Sequence, residues 1–217
     1  MSALYVFALT RDVAAPFEFE GHRIEFIGVS GLGAAVERGA ARPRPSEATL
    51  RTQHEIVMRI STLVDDLLPA RFGAFVEDRE LEQIVAIRRN ALAQALDLVH
   101  GRVQMTIRIR ETAPAAGQAG MSDSGAATTG TAYLEARRAA AVPTVPPRAA
   151  SLTAAVRHLV AAECSENGQG GSVRSIYHLI ERRHVGEYRA ALSSVPSSIM
   201  TVSGPWPPFA FAPDLWP

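Results

Sequence analysis

Apolar residues fall along this chain in two rhythms, one of period two and one near 3.6, and the switches between them outline its elements. Leu4-Tyr5-Val6-Phe7-Ala8-Leu9 is a short apolar run closed by the polar Thr10-Arg11-Asp12, which predicts a buried strand. Arg23-Ile24-Glu25-Phe26-Ile27-Gly28-Val29 opens with alternation and predicts a second strand; Ala34-Ala35-Val36 suits a short third. Ala41-Arg42-Pro43-Arg44-Pro45 breaks the pattern as a link. From Ser46, a suitable N-cap, Leu50, Ile56, Val57, Ile60, Leu63, Val64, Leu67 and Leu68 keep helical spacing up to Pro69. The expectation is a long connecting helix over residues 45–68.

Arg71-Phe72-Gly73-Ala74-Phe75-Val76 is too short for a helix and rich in aromatics, so it predicts a strand over 70–76. Asp78 suits a cap for a second long helix, 78–99, with the stripe Leu81, Ile84, Val85, Leu92, Leu96 and Val99. Gly101 stands where a left-handed C-terminal cap belongs. Arg88 falls on the stripe, so it should snorkel or pair with an acid. Val103, Met105, Ile107 and Ile109 alternate with Gln104, Thr106, Arg108 and Arg110, a half-buried strand. Residues 111–129 hold six Ala, three Gly and one Pro, with Met121 the only large apolar side chain, which predicts a flexible insertion. A helix is expected at Ala132–Ala141 and another around Leu152, Val156, Leu159 and Val160, ahead of a Gly-rich turn at 168–171. Val173, Ile176, Tyr177, Leu179 and Ile180 read as a strand, although their composition would also suit a helix. A short helix at Val185–Leu192 and a last strand at Ile199–Val202 complete the chain.

The order strand 70–76, helix 78–99, strand 102–110, insertion, strand 173–182, helix 185–194, strand 198–203 amounts to two βαβ units in tandem. The expected class is therefore α+β, with a ferredoxin-like domain formed by 69–110 and 171–207. A small β-containing domain, 1–44, and the long helix, 45–68, precede it. Residues 111–170 form the insertion, and 208–217 a tail rich in proline and aromatics.

Charge and composition narrow the function. Acids and bases balance at 22 each, so no long-range field gathers nucleic acid or anionic lipid. Every base is Arg, whose flat guanidinium suits bidentate contacts. Cys164 is the single cysteine and is flanked by acids, which disfavours a reactive thiolate. Met1–Arg11 lacks the sequence of a secretory signal, and no run of 18 apolar residues occurs, so a cytoplasmic protein without a membrane partner is expected.

Catalytic patterns are sparse. Gly28-Val29-Ser30-Gly31-Leu32-Gly33 fits neither a phosphate loop nor a nucleophile elbow and reads as a tight turn between strands. His54-Glu55 lacks the second histidine of a zinc helix, and Cys164 is too far from His178 and His184 to close a metal site. Asp65, Asp66, Glu80 and Glu82 read as solvated acids. No enzyme, cofactor or metal is expected. The tail is different, because residues 204–217 carry five prolines with Trp206, Phe209, Phe211 and Trp216. Proline fixes φ, so this stretch is extended and docks at little entropic cost. Trp206 would either plug its own domain's core or anchor a partner; Phe211 and Trp216 stand open between the same two fates.

Four segments carry a family likeness. Leu4-Tyr5-Val6-Phe7, Leu68-Pro69-Ala70-Arg71-Phe72-Gly73, Gly130-Thr131-Ala132-Tyr133-Leu134 and Gly204-Pro205-Trp206-Pro207-Pro208-Phe209 resemble, in order, marker segments of the gas vesicle GvpL/GvpF family. Phe209 departs from that family's usual tyrosine, and Ile176-Tyr177-His178-Leu179-Ile180 from its usual pattern. The resemblance implies an accessory protein of gas vesicle assembly that contacts the main shell protein and other accessory proteins. Arg71, Phe72, Tyr133, Trp206 and Phe209 in those segments, with Phe211 and Trp216 of the tail, are the candidate partner-binding or motif residues. A small-molecule enzyme or a generic adaptor on the same fold is the alternative.

Overall fold

The computed structural model describes residues 3–110, 154–167, 173–193 and 200–214. Two antiparallel sheets carry the chain. The first is built by β1 (Ala3–Thr10), β2 (Phe17–Phe19), β3 (His22–Val29), β4 (Leu32–Arg38) and β5 (Leu67–Pro69), in the order β2-β3-β4-β1-β5. Strand β6 (Phe75–Glu77) pairs with the other end of β1. The turn joining β3 to β4 is the tight one expected: Ser30 and Gly31 have φ of 47° and 83°, the left-handed pair that a two-residue hairpin needs.

Helix α1 (Glu47–Ile60) covers one face of this sheet and α2 (Asp78–Val99) the other. Tyr5, Phe7, Ile24 and Phe26 meet Ile56, Val57 and Ile60 of α1. Leu4, Val6, Leu9 and Val36 meet Leu81, Val85, Leu92 and Leu96 of α2. With both faces covered, β1 is apolar nearly throughout, which explains its run without alternation.

The second sheet has the order β10-β7-β9-β8, all antiparallel, from β7 (Arg102–Arg110), β8 (Val160–Asn167), β9 (Val173–Glu181) and β10 (Met200–Trp206). Helix α3 (Val185–Leu192) joins β9 to β10 and lies on one face through Tyr188 and Leu192, against Met105, Ile107, Ile176 and Ile180.

The α+β class, helix 78–99 and the strands at 102–110 and 173–182 are observed; several expectations change. The long helix over 45–68 ends at Ile60. Ser61 and Thr62 donate their hydroxyls to Met58 O and Arg59 O and close its last turn, while Leu67-Leu68-Pro69 is recruited as a strand by β1. The strand expected over 70–76 is reduced to β6, and it joins the first sheet, so the first expected βαβ unit straddles two sheets. Of the helix expected around residues 152–160, residues 152 and 153 lie outside the described residues and Ala154 is helical, but the chain then passes into a 3₁₀ turn, Arg157–Leu159, and β8. Strand β8 is an edge strand and carries polar residues such as Glu163, Ser165 and Glu166, which guard an edge and hide its apolar rhythm. Helix α2 is capped by Glu77 rather than Asp78. Arg88 is exposed and forms no ion pair with the described residues, because the buried stripe turns away from it. Asp66, expected in solvent, is buried and accepts from Arg11 Nε at 2.8 Å. The insertion segments 111–129 and 132–141, Tyr133 and Trp216 lie outside the described residues.

Candidate functional site

Three of the marker segments meet where the two sheets join. After β5, the loop Ala70–Ala74 is pinned at almost every residue. Ala70 N donates to Phe7 O at 2.8 Å, and Ala70 O accepts from Gln53 Nε2 of α1 at 3.2 Å. Gly73 N donates to Tyr5 Oη at 3.0 Å, and Val6 N donates to Ala74 O at 2.8 Å. The Tyr5 hydroxyl in turn donates to Gln53 Oε1. Burial raises the Tyr5 pKa, opposed by the Gly73 N–H and reinforced by the charge of Glu37, so this hydroxyl stays a donor at neutral pH.

That pinning sends the two neighbouring candidates in different directions. Arg71 reaches Asp214 at 3.0 Å, an exposed pair that ties the loop to the tail. Phe72 stands against Tyr5, centroids 6.4 Å apart and edge-on.

The tail completes the junction. Strand β10 is interrupted by a bulge between Ser203 and Trp206, with Gly204 at φ 116°. A Cβ on Gly204 would meet Gln104 O at 2.8 Å, so only glycine lets the strand approach β7 this closely. Pairing resumes with Trp206 opposite Gln104 and extends the strand past Ser203, its expected end. Trp206 is half-buried and meets His54 of α1 edge-on at 5.5 Å; Phe209 stacks on the same imidazole at 5.9 Å while remaining 37% exposed. Trp206 therefore rests on a helix of the other sheet rather than in the core of its own. Phe211 packs against the α2-side core, and the turn Phe209–Phe211 lies against β5. A tail laid along β5 covers that strand's edge.

Gln104, read from alternation as solvent-facing, is the hinge of this arrangement. It is buried, and its Oε1 accepts from Ala210 N at 2.8 Å. Thr106 beside it is buried too, because the second sheet is covered on both faces here. His54, Gln53, Gln104 and Asp66 carry no motif, and of these only Asp66 lies beside a segment that does.

Elsewhere the second sheet holds a buried polar chain. His178 is fully buried, with Nδ1 2.7 Å from Tyr188 Oη and Nε2 2.9 Å from Glu163 Oε2. Burial lowers the His178 pKa, and the Glu163 carboxylate offsets part of that. Burial and the same carboxylate raise Tyr188, so the phenol donates to Nδ1 and Nε2–H faces Glu163. Among the described residues no group of three or more His, Cys, Asp or Glu is placed to hold a metal ion, and no helix is long and apolar enough to cross a membrane.

The model of the family described as gas vesicle synthesis protein GvpL/GvpF matches residues 3–213. The chain belongs to the GvpL/GvpF family. Its fold is similar to the crystal structure of the gas vesicle protein GvpF from Anabaena sp. PCC7120, with TM-score 0.70 and 14% identity over 98% of this chain and 99% of that one. It is similar also to GvpF from Microcystis aeruginosa, with TM-score 0.69 and 13% identity over 97% and 99%. A comparison with curated protein sequences finds no significant match. The GvpL/GvpF resemblance of the marker segments is thus confirmed across almost the whole chain, and those within the described residues are the ones that build the junction.

Proposed function

We propose that this chain is a non-enzymatic accessory of gas vesicle assembly, working in the cytoplasm beside the forming vesicle and binding the main shell protein and other gas vesicle accessory proteins. The family match over residues 3–213 carries the reading. The junction supports it: Arg71, Trp206, Phe209 and Phe211 are used to hold two sheets in one relation, with part of Phe209 left at the surface. A protein that presents a fixed binding surface needs such a joint. We read the second sheet as ferredoxin-like, its strands being β7 to β10 with β7 and β9 at the centre.

Removing the gene from its host should abolish or malform the vesicles, and tagged protein should co-purify with the shell protein. Vesicles of normal number and shape in the deletion strain would overturn the assembly role.

A further inference from the structure

A cavity of about 310 Å³ lies between α1 and the first sheet, at the lower end of the ~300–1,000 Å³ typical of ligand sites. Tyr5, Phe7 and Phe72 supply aromatic walls, Ile56 an aliphatic one, and Glu37 and His22 a polar corner. Most polar groups around it are turned inward. The Tyr5 hydroxyl is used by Gln53 and Gly73, Gln53 Nε2 by Ala70 O, and the Thr49 hydroxyl donates to Arg44 O at 2.9 Å.

Glu37 is the exception. Its carboxylate is 16% exposed, and among the described residues its contact is one nitrogen of His22, Nδ1, at 2.9 and 3.1 Å from its two oxygens. A carboxylate offers about four acceptor positions, so most of its capacity faces the cavity unused. An anion would be repelled there. A neutral apolar group would desolvate the carboxylate without a partner. A cation satisfies both wall types, through charge-assisted hydrogen bonds to Glu37 and cation–π contact with the rings. The chain uses the same chemistry next door, where the Arg42 guanidinium lies 5.7 Å over the Phe75 ring.

We propose that this cavity receives one cationic side chain, Arg or Lys, presented by a partner protein. The volume suits a single extended side chain, and Phe72, next to the pinned Gly73, forms part of the wall. The proposal rests on the accessory reading and names the chemistry of the segment bound.

The test uses the full chain with para-fluorophenylalanine at position 72, followed by fluorine NMR. The probes are acetyl-Ala-Ala-Arg-Ala-Ala-amide, its Lys counterpart and its Gln counterpart. The Arg and Lys peptides should give a saturable shift, and the Gln peptide should bind at least about tenfold more weakly. Glu37→Gln should lose at least about tenfold in affinity with melting unchanged. Thr52→Met, which fills the cavity from the α1 side and leaves Glu37 and His22 intact, should block binding as well. Equal binding of the Gln peptide, retained affinity in both variants, or no shift up to about 10 mM would overturn the proposal. Any of these with shell-protein co-purification intact would remove the cationic pocket and leave the accessory role standing.

Discussion

The two sheets solve the burial problem in opposite ways. The first is sandwiched between α1 and α2, and its central strand is apolar on both faces: Leu4, Val6 and Leu9 toward one helix, Tyr5 and Phe7 toward the other. The second carries more of its buried polar groups on the strands themselves, whereas those of the first layer are Thr10 at the end of β1, Gln53 on α1 and Asp66 in a loop. Gln104, Thr106, Arg174 and His178 are each at most 5% exposed, and two of them have hydrogen-bond partners that fix a position: Ala210 for Gln104, and Tyr188 and Glu163 for His178. Hydrophobic burial is non-directional and supplies most of the folding free energy. Buried hydrogen bonds add little net stability, but leaving one unmade costs about 1–3 kcal/mol. The first sheet should therefore set how firmly the chain folds, and the second how accurately the tail and α3 are placed.

The largest effect expected is in the first sheet's core. Leu96 on α2 is fully buried in the core that also holds Leu4 and Leu92. Leu96→Ala should destabilise by about 2–5 kcal/mol, through lost transfer energy and the cavity left behind. Urea denaturation measures it. A loss below about 1 kcal/mol would mean that this core is not what holds the chain together.

At the junction, strain is the stronger lever. Gly204→Ala asks a left-handed backbone to carry a Cβ only 2.8 Å from Gln104 O. The expected cost is about 1–3 kcal/mol, with tryptophan fluorescence reporting movement of Trp206 away from His54. An unshifted spectrum together with unchanged stability would show that the bulge relaxes freely.

The same contrast explains what could be read in advance. Strand β1 and helix α2 were legible because apolar burial leaves a rhythm: an unbroken run in the first, Leu81, Val85, Leu92, Leu96 and Val99 in the second. Strand β8 was not, because Glu163, Ser165 and Glu166 on an edge need water more than packing. Gln104 was misread for a related reason, since alternation names the polar face of a strand but not what covers it. Tertiary pairing also overrode local spacing at Leu67 and Leu68, where the helical register continued in sequence but β1 offered an edge. Of the site, Arg71, Phe72, Trp206 and Phe209 were visible through the family markers, and Phe211 through the aromatic-rich tail. Their partners His54, Gln53 and Asp214 were not, because nothing in sequence links positions so far apart.

A pH titration sharpens the comparison on the second sheet. The folded-state pKa of His178 is lowered by burial, with Glu163 partly opposing, so the folded state binds fewer protons than the unfolded chain, whose histidines titrate near about 6.5. Its contribution is complete above that value and is lost as pH falls through it, each unit of difference between the two states being worth about 1.4 kcal/mol. Denaturation midpoints measured from about pH 8 to about pH 5 should fall more steeply in the native chain than in His178→Leu. Parallel slopes would exclude His178 as the source, and α3 would then be held by packing of Tyr188 and Leu192 alone.

The smallest effect expected is also the most discriminating, because a simple count of contacts gives the opposite sign. Arg174 on β9 is 5% exposed, yet among the described residues its guanidinium has one neutral acceptor, Ser165 Oγ at 3.2 Å, while Nε has none. Among the described residues no carboxylate lies within ion-pair distance of it. A buried charge without a counter-charge pays desolvation that one neutral hydrogen bond does not offset, and well-packed apolar replacements of buried charges are commonly neutral or stabilising. Methionine has a similar reach and adapts to irregular space. Arg174→Met should therefore leave the melting temperature unchanged or raise it by about 2–4 °C, roughly 1 kcal/mol at this size. The single hydroxyl it strands, Ser165, sits on the half-exposed edge strand β8, where water replaces the lost partner. A fall of more than about 5 °C would instead mean that Arg174 fixes the geometry of the second sheet as His178 does. In that case the division between a sheet that stabilises and a sheet that positions would extend to every buried polar residue of β9.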